Sequence, residues 1–552
     1  MLKKTECDIV LGYSDDSLKY ARINKCVVLV DTNITKEKYL ALIDEGYVVL
    51  KKEFSKEFLT SSYFNKNNKY NLISLKQKET VLTVLETYIE YIKISDNKNI
   101  KLYIEIEDNK IETIKREIIE KNKVEEYITT FSFEELLTRE FIEQNPITSH
   151  LPLDFIDEDA SIKHDKTINV IFIGFNELSR KLYNYYIINN QLVTFKDGEY
   201  KLMPINYYIY DNSEDKSNMF TINGLKEELK KLDKNEYFTL PELPYNTEYN
   251  NIPNYSHDCV NYIKDKLQDE NSFTYIFVDT LDIYQNIEMG ANLKIWLADY
   301  HNYHVYVKNN KQFTKNDDML SYYGNEEIIY NHDIIIKDGL MLMAKKMNEV
   351  YTMQALKQYE NDVDFMERVK SVATQSWNNF DYFTIYSNMF SSINLRLKLN
   401  LLKLNYMNDG KMNDLDLIDK MYPLNETNYK YDDYSKKNTR NALLAQEHAR
   451  WNAYHLVNGF MPLKKQKIEI KKIEENNVSF IIKNVEHKKH ACLTTFKGLD
   501  ELSCYLKNIA SEKVGKEIEI DNYDYYKYDE SLILNSKELL RILKYSVVDK
   551  NK

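Results

Sequence analysis

Glu447, His448, Arg450, Trp451 and His455 crowd one short stretch of the chain, TRNALLAQEHARWNAYHLVN. On a helix, spacings of three and four bring Glu447, His448, Trp451 and His455 to one side. A carboxylate, an imidazole, an indole and the Arg450 guanidinium gathered there could hold a planar nucleobase. Trp451 would stack on the base, and Glu447 or His448 would exchange hydrogen bonds with its edge. The plainer alternative is a small helical core in which Trp451 packs while Glu447 and His448 fix neighbouring loops. Spacing alone favours the plainer alternative.

A second group could bind an anion. The stretch INVIFIGFNELSRKLYNYYIINN reads as a buried strand from Ile168 to Ile173, a turn at Gly174 and a helix. The first turn of such a helix points its N–H groups at whatever lies above the strand. The three places of the dinucleotide fingerprint hold Gly174, Asn176 and Ser179, so only the first glycine is kept. Asp211 ends the next strand, Ile205 to Tyr210, where an acid would hold a ribose hydroxyl. Any α/β strand-to-helix turn could read the same way.

The first residues repeat this order. Cys7 to Leu11 is a strand, Gly12, Ser14 and Ser17 take the fingerprint places, and Asp31 ends the strand from Cys26 to Val30. Asp15 and Asp16 would repel a phosphate at that turn, which makes the first copy the degenerate one. His487, His490, Cys492 and Cys504 could in principle ligate a metal. They sit among lysines and lack paired spacing, so a surface histidine cluster is expected and no metal. No Ser–His–Asp order, nucleophile elbow, Walker lysine motif or HExxH is present, and no catalytic residue is expected.

Strands alternate with helical patterns on both sides of these turns, which predicts parallel, doubly wound sheets. Further strands are expected from Gly46 to Leu50, Tyr70 to Leu75, Ile100 to Ile106, Thr274 to Val278 and His304 to Val307, and a helix from Glu79 to Ile92. The expected fold class is α/β: two tandem doubly wound Rossmann-like domains, at 1–150 and 165–345, followed by a smaller, mainly helical domain at 376–530. Phe131 to Asp165 reads as a linker, Gln191 to Lys201 as a polar insertion and Asp338 to Val372 as a long helical region. A strand pair is expected at Lys467 to Lys472 and Val478 to Lys483. The tyrosine-rich, acidic tail from Asp521 to Asp529 reads as partly disordered.

A net charge of −12 argues against unspecific binding to nucleic acid. Five scattered cysteines without a CxxC pair point to a reducing cytoplasm. No stretch approaches the roughly 20 apolar residues of a spanning helix, so a cytoplasmic protein without direct membrane insertion is expected.

Residues 1 to about 345 resemble the TrkA-N type of Rossmann domain, a NAD-binding regulatory fold attached to potassium-transport systems. The likeness rests on Gly174 with Asp211, on TYIFV followed by Asp279 and Thr280, and on the fading copy with Gly12 and Asp31. Residues from about Trp377 to Asp500 resemble the bacterial RyR domain, a repeat shared with ryanodine receptors. Leu444, Ala445, Glu447, His448, Arg450, Trp451, Gly459 and Phe460 carry that likeness, with Ser387, Asn388, Lys398, Leu399, His490, Cys492 and Leu493 in support. The resemblance implies a regulatory sensor without catalytic activity. NAD(H) or an adenine nucleotide would bind at Gly174, Asn176, Ser179, Asp211, Asp279 and Thr280. A nucleotide-type small molecule would bind at Trp377, Asn388, Glu447, His448, Arg450 and Trp451. Homo-oligomers and a membrane transporter are the partners it suggests. Two other readings stay open: an NAD-dependent oxidoreductase, for which no Tyr–Lys pair or catalytic histidine stands out, and a structural partner module, as in a defence system, with vestigial nucleotide sites.

Overall fold

Branched residues run without a polar break through residues 9–11 and 28–30, and all of them are buried. Successive side chains on a strand face opposite ways, so unbroken burial means that both faces of the sheet are covered. The computed structural model describes residues 6–24, 27–75, 81–212, 222–253, 256–280, 282–310, 316–356, 361–421, 429–474 and 477–550. Cys26 and Glu79, at which a strand and a helix were expected to begin, lie outside these residues.

The first sheet is built from β1 (Glu6–Leu11), β2 (Val27–Val30), β3 (Val48–Leu50), β4 (Lys69–Ser74), β5 (Ile100–Glu105) and β6 (Ile128–Phe131), in the order β3-β2-β1-β4-β5-β6 with every pair parallel. The second contains β7 (Thr167–Ile173), a small hairpin of β8 (Val193–Lys196) and β9 (Glu199–Leu202), then β10 (Ile205–Tyr210), β11 (Asn246–Asn250), β12 (Ser272–Val278), β13 (Tyr303–Lys308) and β14 (Leu320–Tyr323). Apart from the hairpin its order is β11-β10-β7-β12-β13-β14, again all parallel. Both sheets thus follow the 3-2-1-4-5-6 order of the Rossmann fold, with the switch between the first and fourth strands.

The chain packs as two compact units. One holds Met1–Glu140, Asn310–Phe313 and Gly324–Leu342; the other holds Phe141–Asn309, Thr314–Tyr323 and Met343–Lys552. In the first, the buried Asp8 carboxylate accepts from the Tyr20 hydroxyl at 2.7 Å and from the Asn71 amide at 2.8 Å, and pairs with His332 Nδ1 at 2.8 Å. In the second, one face of the sheet is aliphatic, with Ile171, Ile173, Ile276 and Val278 packed on Met289 and Leu293. The other is aromatic: Phe172 and Phe277 stack at 5.1 Å, and Tyr186 stands edge-on to Phe277 at 5.4 Å.

Several expectations need correction. The stretch expected as a linker contains the end of β6 and the helix Phe133–Gln144. The polar insertion is the β8–β9 hairpin, turned by Asp197 and Gly198 at φ +57° and +82°. The tail is not disordered: it forms a 3-10 turn, Ile520–Tyr523, and begins the helix Tyr526–Leu543. The long helical region consists of two helices, Gly339–Ala355 and Phe365–Asn379. Among the described residues no helix is long and apolar enough to cross a membrane.

His304 on β13 is fully buried and stacks on His150 with ring centres 3.6 Å apart. Its Nδ1 donates to the Asp318 carbonyl at 3.2 Å, which leaves Nε2 to accept from Ser321 Oγ at 3.0 Å. Burial, and then the neighbouring His150, push this imidazole down to about 3. An unfolded histidine takes its proton near pH 6.5. The stability that neutral His304 contributes is therefore full above pH 6.5 and is lost as pH falls, by about 2 kcal/mol at pH 5. Denaturant unfolding of the full chain at about pH 7.5 and about pH 5 should show at least this loss, and His304→Phe should reduce it by about 2 kcal/mol, since burial depresses His150, His455 and His490 as well. An unchanged pH dependence in the variant would exclude His304 as its source.

Candidate functional site

At the switch point of the second sheet, five of the six candidate cofactor-binding residues come together, and three of them, Asn176, Ser179 and Asp279, bond to one another. Gly174 turns the chain out of β7 at φ +83°. Asn176 caps the helix Glu177–Asn189, its side chain accepting from the Ser179 N–H at 3.3 Å while its amide donates to the Asp279 carbonyl at 3.0 Å. Ser179 Oγ donates to the buried Asp279 carboxylate at 2.7 Å, and Lys308 pairs with its other oxygen at 2.9 Å. Both the Thr280 amide and its hydroxyl donate to Asn286 Oδ1, at 2.8 and 2.7 Å. Asp211 ends the neighbouring strand, its N–H on the Asn250 carbonyl. The place that a pyrophosphate would take at the start of the helix is held by the Asn176 carboxamide.

The second group of residues meets a cavity of about 1010 Å³. Its floor is the helix Thr439–Val457, opened by the Asn438 side chain, which accepts from the Asn441 N–H at 2.9 Å. Glu447, His448, Arg450, Trp451 and His455 all line it, as the spacing required. One wall is the helix Tyr382–Leu401, whose Asp381 cap accepts from the Thr384 N–H at 2.8 Å and which contributes Phe383, Thr384, Ser387, Asn388 and Ser391. Lys483, His490 and Cys492 come from the segments after the hairpin of Glu469–Glu474 and Asn477–Ile481, and Tyr525, Tyr528 and Asp529 from the start of the last helix. Trp377 does not line the cavity. It is half-buried near the end of another helix and packs edge-on to Phe380 at 6.2 Å.

Buried charged groups line this cavity and back it. Glu447 Oε2 pairs with Lys398 Nζ at 2.7 Å, and Glu447 Oε1 accepts from Arg450 Nη2 and Nε at 2.7 and 3.0 Å. Burial alone would raise the Glu447 carboxyl, but Arg450 and then Lys398 hold it down at about 2. One carboxylate serves two cations, and burial pushes the Lys398 ammonium below its ordinary range. His448 Nε2 faces the Thr494 carbonyl at 3.0 Å and must donate. Its Nδ1 faces Asp529 Oδ2 at 3.1 Å, so a proton lies between the two. Burial lifts the Asp529 carboxyl, with His448 opposing.

The remaining imidazoles are neutral and of opposite tautomer. His455 Nδ1 donates to the Trp451 carbonyl at 2.9 Å, which leaves Nε2 as an acceptor. His490 Nδ1 accepts from the Cys492 N–H at 3.0 Å, which leaves Nε2–H as a donor. Burial and the nearby His490 depress His455 far below its ordinary value; burial and Lys483 take His490 down to about 3. His490 and Cys492 therefore belong to the cavity wall, not to a surface cluster. Trp451 is half-buried, with the His455 ring centre 3.8 Å away and His490 edge-on at 5.0 Å.

Sequence reasoning missed Asp529, Phe383 and Lys483 as parts of this site. Asp529 carried a signal, since the chain after it continues with helical spacing; Phe383 and Lys483 carried none. Comparison with protein-family models, with curated proteins and with solved structures finds no match to this chain.

Proposed function

We propose that this chain is a regulatory protein that binds a nucleotide-type small molecule in its C-terminal cavity and performs no chemistry on it. The observation that carries the reading is the juxtaposition of a half-buried Trp451 with a buried, ionised Glu447–Arg450–Lys398 cluster in a cavity of about 1010 Å³. Ligand sites of this size pair apolar, aromatic walls with a few fixed polar groups. The Cys492 thiol is held protonated by burial, which suits a wall better than a nucleophile. The same residues carry the resemblance to the bacterial RyR domain, which supports a sensor of this kind.

Calorimetric titration of the full chain with ATP, ADP, AMP, cyclic AMP, NAD and NADH tests the proposal. At least one is expected to bind, and Trp451→Ala should weaken it by about ten- to a hundredfold, the worth of a lost base–indole stack. If the folded protein answers to none of them, the reading fails. The Rossmann strand order of the second sheet favours a second reading, NAD(H) or an adenine nucleotide above Gly174. Nucleotide binding that survives Trp451→Ala intact would be assigned to that crevice.

A further inference from the structure

We propose that the cavity contains an oxyanion seat at Arg450, built to take a phosphate or carboxylate group of the ligand. This deepens the cavity reading above and rests on it. Arg450 is 1 % exposed and lines the cavity. Its Nε and Nη2 are turned to Glu447, while Nη1 is buried with no hydrogen-bond partner among the described residues. An unpaired guanidinium nitrogen out of reach of water costs free energy that a bound acceptor would recover. Guanidinium also presents its N–H groups in a planar fork that matches an oxyanion.

Charge balance points the same way. Lys398 is fully buried and shares the Glu447 carboxylate with Arg450, which leaves one positive charge uncompensated. The His448–Asp529 pair brings its own proton and adds no net charge. Lys483 on the wall stands over the Phe383 and Phe460 rings at 5.8 and 5.7 Å and adds a further positive charge. The chain as a whole carries −12, yet this chamber is cationic. A buried cation lacking a full counterion favours a ligand that supplies one.

Replacing Trp296 and Trp377 by Phe in the full chain leaves Trp451 as the sole indole emitter. Its fluorescence is then followed on titration with AMP, adenosine, inorganic pyrophosphate and succinate at constant ionic strength. AMP is expected to bind at least about tenfold more tightly than adenosine, and pyrophosphate to give a saturable response. Arg450→Gln, which leaves Glu447 and Lys398 as a neutral pair, should abolish both effects; Arg450→Met, with the same charge balance, serves should the first variant not fold. Saturation by succinate but not pyrophosphate would keep the seat and make its ligand a carboxylate. Equal binding of AMP and adenosine, with pyrophosphate and succinate silent, overturns the seat and leaves the cavity reading standing. An Arg450-dependent pyrophosphate response with no response to AMP or adenosine keeps the seat and removes the nucleotide. Silence from all four overturns both.

Discussion

Glu447→Gln is expected to cost about 3–5 kcal/mol of unfolding free energy, while Lys398→Met costs about 1 kcal/mol or less. The difference follows from how many charges each change strands. With Glu447 neutralised, Lys398 and Arg450, 0 % and 1 % exposed, remain as two buried cations with no counterion. With Lys398 replaced by an apolar chain of similar length, Glu447 and Arg450 still form a neutral pair on one helix. What Met loses is the contact of the ammonium with Asn394 and the carboxylate, and it removes a charge that burial already disfavours. Urea unfolding of the two variants at neutral pH measures the contrast. Equal costs would mean that the cluster is not governed by charge balance, and the argument for a cationic chamber would lose its ground.

The sheets were legible because buried parallel strands announce themselves as unbroken branched runs, and the turns after them as a glycine followed by a helix. Strands without that signature were lost. β11, NTEYN, lies at an edge of its sheet and is only half covered, so it has no apolar run to read. The β8–β9 hairpin did carry a signal, since Asp-Gly is a preferred two-residue turn, but its polar flanks masked it. The tail was misread for the same reason in reverse. Its acids and tyrosines look solvated in the sequence, yet Asp529 is buried against His448 and several of the tyrosines are covered.

At the cavity, one helix could be read and its surroundings could not. The spacing of Glu447, His448, Trp451 and His455 places them on one face whatever the fold, so their convergence was visible. Which groups meet that face depends on how the helix Tyr382–Leu401 and the last helix pack over it, and no local pattern encodes this. Lys398 therefore could be noticed in the sequence but not recognised as the second cation on Glu447.

Gly174→Ala is expected to destabilise the second unit by more than about 3 kcal/mol, whereas Gly198→Ala costs about 1–2 kcal/mol. Both glycines hold the left-handed backbone, at φ +83° and +82°, so the conformational cost of a side chain is shared. They differ in what a Cβ would meet. At Gly198 nothing among the described residues lies within 4 Å; at Gly174 the Asp279 carbonyl oxygen would be 2.3 Å away and its carbon 2.8 Å away. That carbonyl cannot retreat as a flexible side chain would. Its residue is held by an N–H bond to the Ile173 carbonyl at 2.9 Å, by Ser179 and by Lys308. Denaturant unfolding of the two variants would show similar losses if this close approach were absent. The first glycine of the fingerprint is then required by the contact between the β7 turn and the end of β12, with or without a bound nucleotide. A bulky residue at 174 would abolish ligand binding by unfolding the site, so Asn176→Ala, which removes one cap at about 1 kcal/mol and frees the helix start, is the better probe of whether that crevice can take an anion.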